Sequence, residues 1–228
     1  MTAPLPFGGG AVMNRRVEPP DSLDFFPTPP WATRALCEIV LGVDQVGGRM
    51  ARDPACGEGH MVETLAEYYP QTGAGDIHDY GAGYAVQDYR TSSPVVAPGA
   101  WTITNPPYNS ALEFALHALS AEEQGLALLV RTNWLEGETR FAELFAHRPP
   151  NAFHQFAERV PMFRGRYEPE GSTATAYGWA VWMPGRAARR DTDTRLRWIP
   201  PCKDYLFRPE DVRRWCAPAP APLFEGAP

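Results

Sequence analysis

The chain has 228 residues, 44 % of them hydrophobic, which suits one domain with a sizeable core, or one domain plus a small appendage. Its net charge of −6 counts against a non-specific nucleic-acid binder, which is ordinarily basic, although charge can be local. No apolar run reaches the ~20 residues of a bilayer span. The start lacks the charged and apolar pattern of a secretory signal. Cys37, Cys56, Cys202 and Cys216 form no CxxC pair and no metal-ligand spacing, so the expectation is a reducing cytoplasm with no structural metal.

Along the chain, residues 1–20 read as a flexible arm, with Gly8-Gly9-Gly10 and Pro19-Pro20 bracketing a segment without periodicity. Pro29 and Pro30 open a helix expected to run to Leu41, with Trp31, Ala35, Leu36 and Ile39 on its buried face. A strand is predicted over Arg49 to Pro54, a helix over His60 to Tyr69, and two weak strands ending near Asp76 and Asp88. Ala100 to Thr104 reads as a strand, and Leu112 to Leu119 as an amphipathic helix with its leucines at helical spacing. The apolar run Gly125 to Val130 suits a buried parallel strand, and Phe141 to Phe145 belongs to another helix. Ala152 to Phe156 and Thr175 to Met183 read as strands with no helix between them, an antiparallel hairpin at the edge of the sheet. The alternation predicts an α/β fold, a Rossmann-like doubly wound and mostly parallel sheet over residues 21–185, followed by an Arg/Pro-rich C-terminal extension over 186–228.

The first motif is Asp53-Pro54-Ala55-Cys56-Gly57-Glu58-Gly59, between a strand and a helix. Gly57 and Gly59 permit a sharp turn and close backbone approach to a ligand, at the strand ends where open α/β sheets bind them. The loop lacks the lysine of a P-loop and the GxGxxG of a dinucleotide site. Asp53 suggests a positively charged ligand, such as the amino group of a methionyl moiety. Asp76, at the end of the next strand, is placed to accept from ribose hydroxyls. Gly-x-Gly alone would equally fit a structural turn; Asp76 is what favours a ligand.

The second motif is Asn105-Pro106-Pro107-Tyr108, directly after a strand. Two prolines stop the ladder and stiffen the loop. The Asn105 side-chain oxygen and the Pro106 carbonyl can then both accept from one NH2 group. An amino group on an aromatic ring or amide has a delocalised lone pair. Two acceptors draw its hydrogens towards tetrahedral geometry and localise that pair for attack on a sulfonium methyl, through positioning and fixed dipoles. Tyr108 would stack on the flat target and face the cation.

Together these strings resemble class I S-adenosylmethionine-dependent methyltransferases that modify amino groups. Asp24-Phe25-Phe26-Pro27-Thr28-Pro29-Pro30 is similar to the Phe-x-x-Thr-Pro segment of adenine-N6 DNA methyltransferases, and the motif order resembles the small phage and prophage members, over about residues 24–185. The resemblance implies that S-adenosylmethionine is held by Phe26, Thr28, Pro29, Asp53, Ala55, Cys56, Gly57, Gly59, Asp76 and Ile77. It implies that Asp88 and Tyr89 contact the cofactor's adenine amino group, and that Asn105, Pro106, Pro107 and Tyr108 are catalytic, with Asn105 also near the cofactor. Arg52 departs from the family, standing where an apolar strand residue is usual.

The second motif does not name its substrate: relatives methylate DNA adenine, RNA base amino groups or the glutamine amide of proteins. The Phe-Phe-Pro-Thr-Pro segment favours adenine N6 in DNA, reached by base flipping. Arg159, Arg164 and Arg166, with the Arg186 to Lys203 stretch, are then candidates to face DNA phosphates. The arginine loop reads equally as a solvated loop balanced by acids such as Glu168 and Glu170. Tyr177, Trp179 and Trp182 read as sheet core rather than a base-stacking platform. A non-catalytic cofactor-binding subunit is the alternative of another class, and the intact Asn105 and Tyr108 argue against it.

Overall fold

The computed structural model describes residues 24–43, 50–93, 99–120, 125–184 and 193–216. The expected flexible arm, Arg186, Arg189, Arg190 and the last dozen residues lie outside them. Helix α1 spans Pro30–Ala35 and continues as a π-helix over Leu36–Leu41. Proline at the first helical position has no N–H to leave unsatisfied. Trp31, Ala35 and Leu36 are fully buried, and Ile39 packs against the same core half-buried.

The next elements are β1 (Met50–Asp53), α2 (His60–Leu65), β2 (Gln71–Asp76), β3 (Ala85–Val86) and β4 (Trp101–Thr104). They are followed by α3 (Ala111–Leu119), β5 (Gly125–Arg131), and a short α4 (Glu138–Arg140) that continues as a π-helix over Phe141–Phe145. The chain then forms β6 (Ala152–Phe156), β7 (Tyr177–Trp182), β8 (Arg195–Ile199), α5 (Lys203–Leu206) and α6 (Pro209–Trp215). No helix among the described residues is long and apolar enough to cross a membrane.

The strands form one sheet in the order β3-β2-β1-β4-β5-β7-β6-β8. Pairs from β3 to β5 are parallel, β7 is antiparallel to both β5 and β6, and β8 is parallel to β6. Period-two alternation divides the side chains between two cores. Trp101, Ile103, Ala127, Leu129 and Trp179 face α1 and α2, while Leu126, Leu128, Val130, Ala180 and Trp182 face α3. Tyr177, Trp179 and Trp182 are buried in these cores, as sheet residues.

Two details depart from the sequence reading. In α3 the buried face is Ala111, Phe114, Ala115 and Ala118, while Leu112, Leu116 and Leu119 flank it half-buried, because small residues let the helix lie close to the sheet. The hairpin strand β6 is not the sheet edge. That place is taken by β8, inside the Arg-rich stretch, whose Arg195, Leu196, Arg197 and Trp198 are all exposed, with no layer of the described residues over them. Beyond it, α6 is docked by the buried Arg34, whose guanidinium binds Asp211 in a bidentate pair at 2.7 and 2.8 Å and Glu67 at 2.7 and 3.0 Å. The chain after residue 185 thus contributes an edge strand and a docked helix to the body of the fold.

Candidate functional site

The strand order reverses at β1, with β2 on one side and β4 on the other, and open α/β sheets bind ligands outside the strand ends at such a point. Here it opens a cleft enclosing about 570 Å3 of empty space, mouth included. Among the predicted residues the cleft gathers Phe26, Thr28, Asp53, Ala55, Cys56, Asp76, Ile77, Asn105 and Pro107. Residues separated by up to 81 positions therefore line one cavity.

One end of the cleft is acidic. Asp53 ends β1, is 2 % exposed, and accepts from the Ala55 N–H at 3.2 Å. Burial pushes its carboxyl up to about 7, the nearby Asp76 adds to the rise, and the Ala55 N–H offsets part of it. Asp76 ends β2 and accepts from the N–H groups of Gly57 at 2.9 Å and His78 at 3.0 Å. Gly57 and Gly59 have φ of +54° and +102°, and a Cβ at Gly57 would overlap the Phe25 ring, so the sequence of the turn is dictated by both conformation and close packing. Ile77 presents 58 % of its surface at the cleft wall, an apolar face available to a flat ligand group.

The other end is built on β4. Asn105 Nδ2 donates to the Phe26 carbonyl at 2.9 Å and lies 3.6 Å from Met162 Sδ. A carbonyl can only accept, so this bond fixes which way the amide points. Asn105 Oδ1 is left buried without a hydrogen-bond partner. Pro107 O accepts from Ser110 N at 2.9 Å at the start of α3, whereas the Pro106 carbonyl accepts no hydrogen bond among the described residues. The rigid loop thus keeps two acceptors in reserve.

Tyr108 is held by three groups. Its N–H donates to Asp24 Oδ2 at 2.6 Å, its hydroxyl meets that of Tyr177 at 2.9 Å, and the Arg131 guanidinium lies 3.6 Å from its ring centre. One face of the ring already carries a cation from the end of β5. Stacking a flat group on that face requires the guanidinium to leave it.

Asp88 and Tyr89 lie outside the cleft. Asp88 caps a 3-10 turn at Tyr89–Thr91 and pairs with its neighbour Arg90 at 2.7 Å. Tyr89 is buried between Phe114 and His117, with the Arg52 guanidinium 4.6 Å from its ring centre. This also accounts for Arg52: the charge unusual for a strand is covered by an aromatic face. Pro29, Gly57, Gly59, Pro106 and Tyr108 are not among the lining residues, and Gly59 packs against Tyr84. Arg159, Arg164 and Arg166 are exposed, and Arg166 pairs with Glu168 at 2.8 Å. Gly165 N donates to the Phe25 carbonyl at 2.8 Å, which ties this loop to the rim of the cleft.

The lining also includes Asp24, Phe25, Pro27, His60, Met61 and Tyr80, which the motif reading did not nominate. Asp24 and Phe25 lay within a motif already singled out, and His60 directly follows Gly59, so adjacency was a usable signal for them. Tyr80 comes from the loop after β2, brought in by its packing on Phe25 at 4.7 Å between ring centres, and no sequence pattern marks it.

This topology is the class I methyltransferase fold. The modification subunit of a putative type I restriction enzyme from Vibrio vulnificus is similar in structure, with a TM-score of 0.50 and 16 % identity over 71 % of this chain; the chain spans 45 % of that subunit's length. A putative RNA methyltransferase from Pyrococcus horikoshii gives a TM-score of 0.46 and 13 % identity over 69 % of this chain and 84 % of its own. A 23S rRNA methyltransferase gives 0.45 and 13 % over 67 % of this chain and 68 % of its own. At such identities the likeness is one of fold. No protein-family model and no curated protein matches the sequence.

Proposed function

We propose that the protein is an S-adenosylmethionine-dependent methyltransferase acting on an exocyclic amino group, with adenine N6 in DNA as the substrate. The observation that carries this reading is Asn105 Oδ1, a buried acceptor without a partner on a rigid proline loop, its amide locked by the Phe26 carbonyl. A buried orphan acceptor costs about 1–3 kcal/mol, and an incoming NH2 group would satisfy it.

The cleft fits the cofactor on the chemistry of its lining. Asp24, Asp53 and Asp76 contribute carboxylates, and among the described residues no Lys or Arg lines the cavity, which suits a ligand bearing sulfonium and ammonium charges. Asp76 would hold the ribose hydroxyls, Ile77 the adenine ring, and Asp53 the cationic amino-acid end. When bound, the cofactor supplies an electrophilic methyl group. The chain's own task is to hold the target nitrogen: Asn105 Oδ1 and the Pro106 carbonyl accept its hydrogens and turn the lone pair outward.

Nucleic acid is favoured over a protein amide by the exposed Arg159, Arg164 and Arg166 on a loop tied to the cleft rim at Phe25. DNA is favoured over RNA by the resemblance of Phe25 to Pro30 to the adenine-N6 DNA enzymes. The test is calorimetric titration with S-adenosylmethionine, followed by tritiated methyl transfer to DNA, RNA and protein fractions. We expect micromolar binding and label in DNA N6-methyladenine. No cofactor binding would sink the reading, and label in RNA or glutamine alone would overturn the substrate.

A further inference from the structure

His60 is the first residue of α2, directly after the glycine turn, and is one of the residues that line the cleft. It is 3 % exposed, and both ring nitrogens are buried without a hydrogen-bond partner. Buried polar atoms are ordinarily satisfied, so two orphan nitrogens on one ring beside a cavity call for a partner that the described residues do not provide. The ring is held by Trp215 of α6, stacked at 4.0 Å between centres with 25° between planes. Helix α6 is fastened in turn by Asp211 on Arg34 and by Arg214 on Glu63 at 2.9 Å.

The rest of the lining says what that partner is. Its charged groups are the carboxylates of Asp24, Asp53 and Asp76, and among the described residues it has no Lys or Arg. A ligand that carries an anionic group into such a cleft has to be met by neutral donors. Asn105 Nδ2 is committed to Phe26 O, and Cys56 Sγ to Gly57 O. Thr28 and Tyr80 also bring hydroxyls to the lining, whereas the His60 ring nitrogens are buried and have no partner among the described residues. We propose that His60, braced by Trp215, is the hydrogen-bond donor to the carboxylate of the cofactor's amino-acid end. This makes the C-terminal helix part of the binding site and rests on the cofactor reading above. Burial and the Arg214 charge push the His60 imidazole down to about 3, so at neutral pH it offers one N–H without adding charge.

The experiment compares S-adenosylmethionine with its decarboxylated form, which keeps the sulfonium and amine and lacks only the carboxylate. Both are titrated calorimetrically into the full chain and its His60→Phe and His60→Gln variants. His60→Phe keeps an aromatic ring on Trp215 and removes the nitrogens. We expect it to weaken S-adenosylmethionine by about ten-fold to a hundred-fold, to leave the decarboxylated ligand within about two-fold, and not to lower the melting temperature of the free protein. His60→Gln, which restores a donor, should recover part of the loss. Equal weakening of both ligands, or undiminished binding of S-adenosylmethionine, would overturn the assignment. Wild-type protein that binds neither ligand would overturn the cofactor reading itself.

Discussion

The two ends of the cleft prepare for their ligands in opposite ways. At the β1–β2 end the carboxylates are satisfied within the chain: Asp53 by Ala55 N, and Asp76 by Gly57 N and His78 N. What that end retains is charge. At the β4 end the group that faces the target is a neutral amide, and what is retained is an unsatisfied acceptor, Asn105 Oδ1. Carboxylates hold a cation through field and need no empty hydrogen-bond site, whereas an amino group is oriented only by acceptors left free for its hydrogens. The first arrangement suits holding a cofactor, the second aiming a nucleophile.

Substitutions can break this division, and the largest effect is expected at the neutral end. Asn105→Ala should lower methyl transfer by about 10²-fold or more while the S-adenosylmethionine dissociation constant stays nearly unchanged, as single-turnover rates and calorimetry would show. A large loss of cofactor binding in this variant would erase the distinction between the ends.

Asp53 gives the next largest effect, and it depends on pH. Its carboxyl is raised to about 7 in the folded chain, above the ordinary 3.8, so it is protonated below neutrality. The folded state then binds a proton that the unfolded state has released, and the free protein loses stability as pH climbs from about 4 to about 7. Cofactor affinity should move the other way, strengthening through the same window as the carboxylate forms to meet the cation. Asp53→Asn should flatten both profiles; thermal melts and titrations across this range check it, and an unchanged slope would remove Asp53 from cation binding.

The smallest effect tests the support of the neutral end. Tyr177→Phe removes the hydroxyl that meets Tyr108 at 2.9 Å. The loss of one such bond is worth about 1 kcal/mol, or roughly five-fold in kcat/KM, with cofactor affinity unaltered. Steady-state kinetics showing no change would mean that the Arg131 and Asp24 contacts alone hold Tyr108.

Legibility followed the range of the interactions. The glycine turn is local, since Gly57 and Gly59 are there for their backbone angles, and the string could be read directly. So could the proline loop after β4. Tyr89 failed to reach the cleft because its partners are far apart in sequence, Arg52 and Phe114 drawing it into the core, while Asp88 is held beside it by its neighbour Arg90. β8 was hidden by its arginines. An edge strand with exposed faces carries little hydrophobic pattern, although Leu196 and Trp198 do alternate with Arg195 and Arg197.

By itself the sequence determined the doubly wound core and the residues from Asp53 to Gly59 and Asn105 to Tyr108, because strand periodicity and turn chemistry act over a few neighbouring positions. Only the tertiary structure decided which atoms in those strings are spent and which are free. Asn105 Nδ2 is taken by Phe26 across 79 positions, Tyr108 is covered by Arg131, and His60 is braced by a tryptophan from the C-terminal helix. A donor or acceptor is available to a ligand only if packing leaves it without a partner, and that is set by contacts the chain makes on folding.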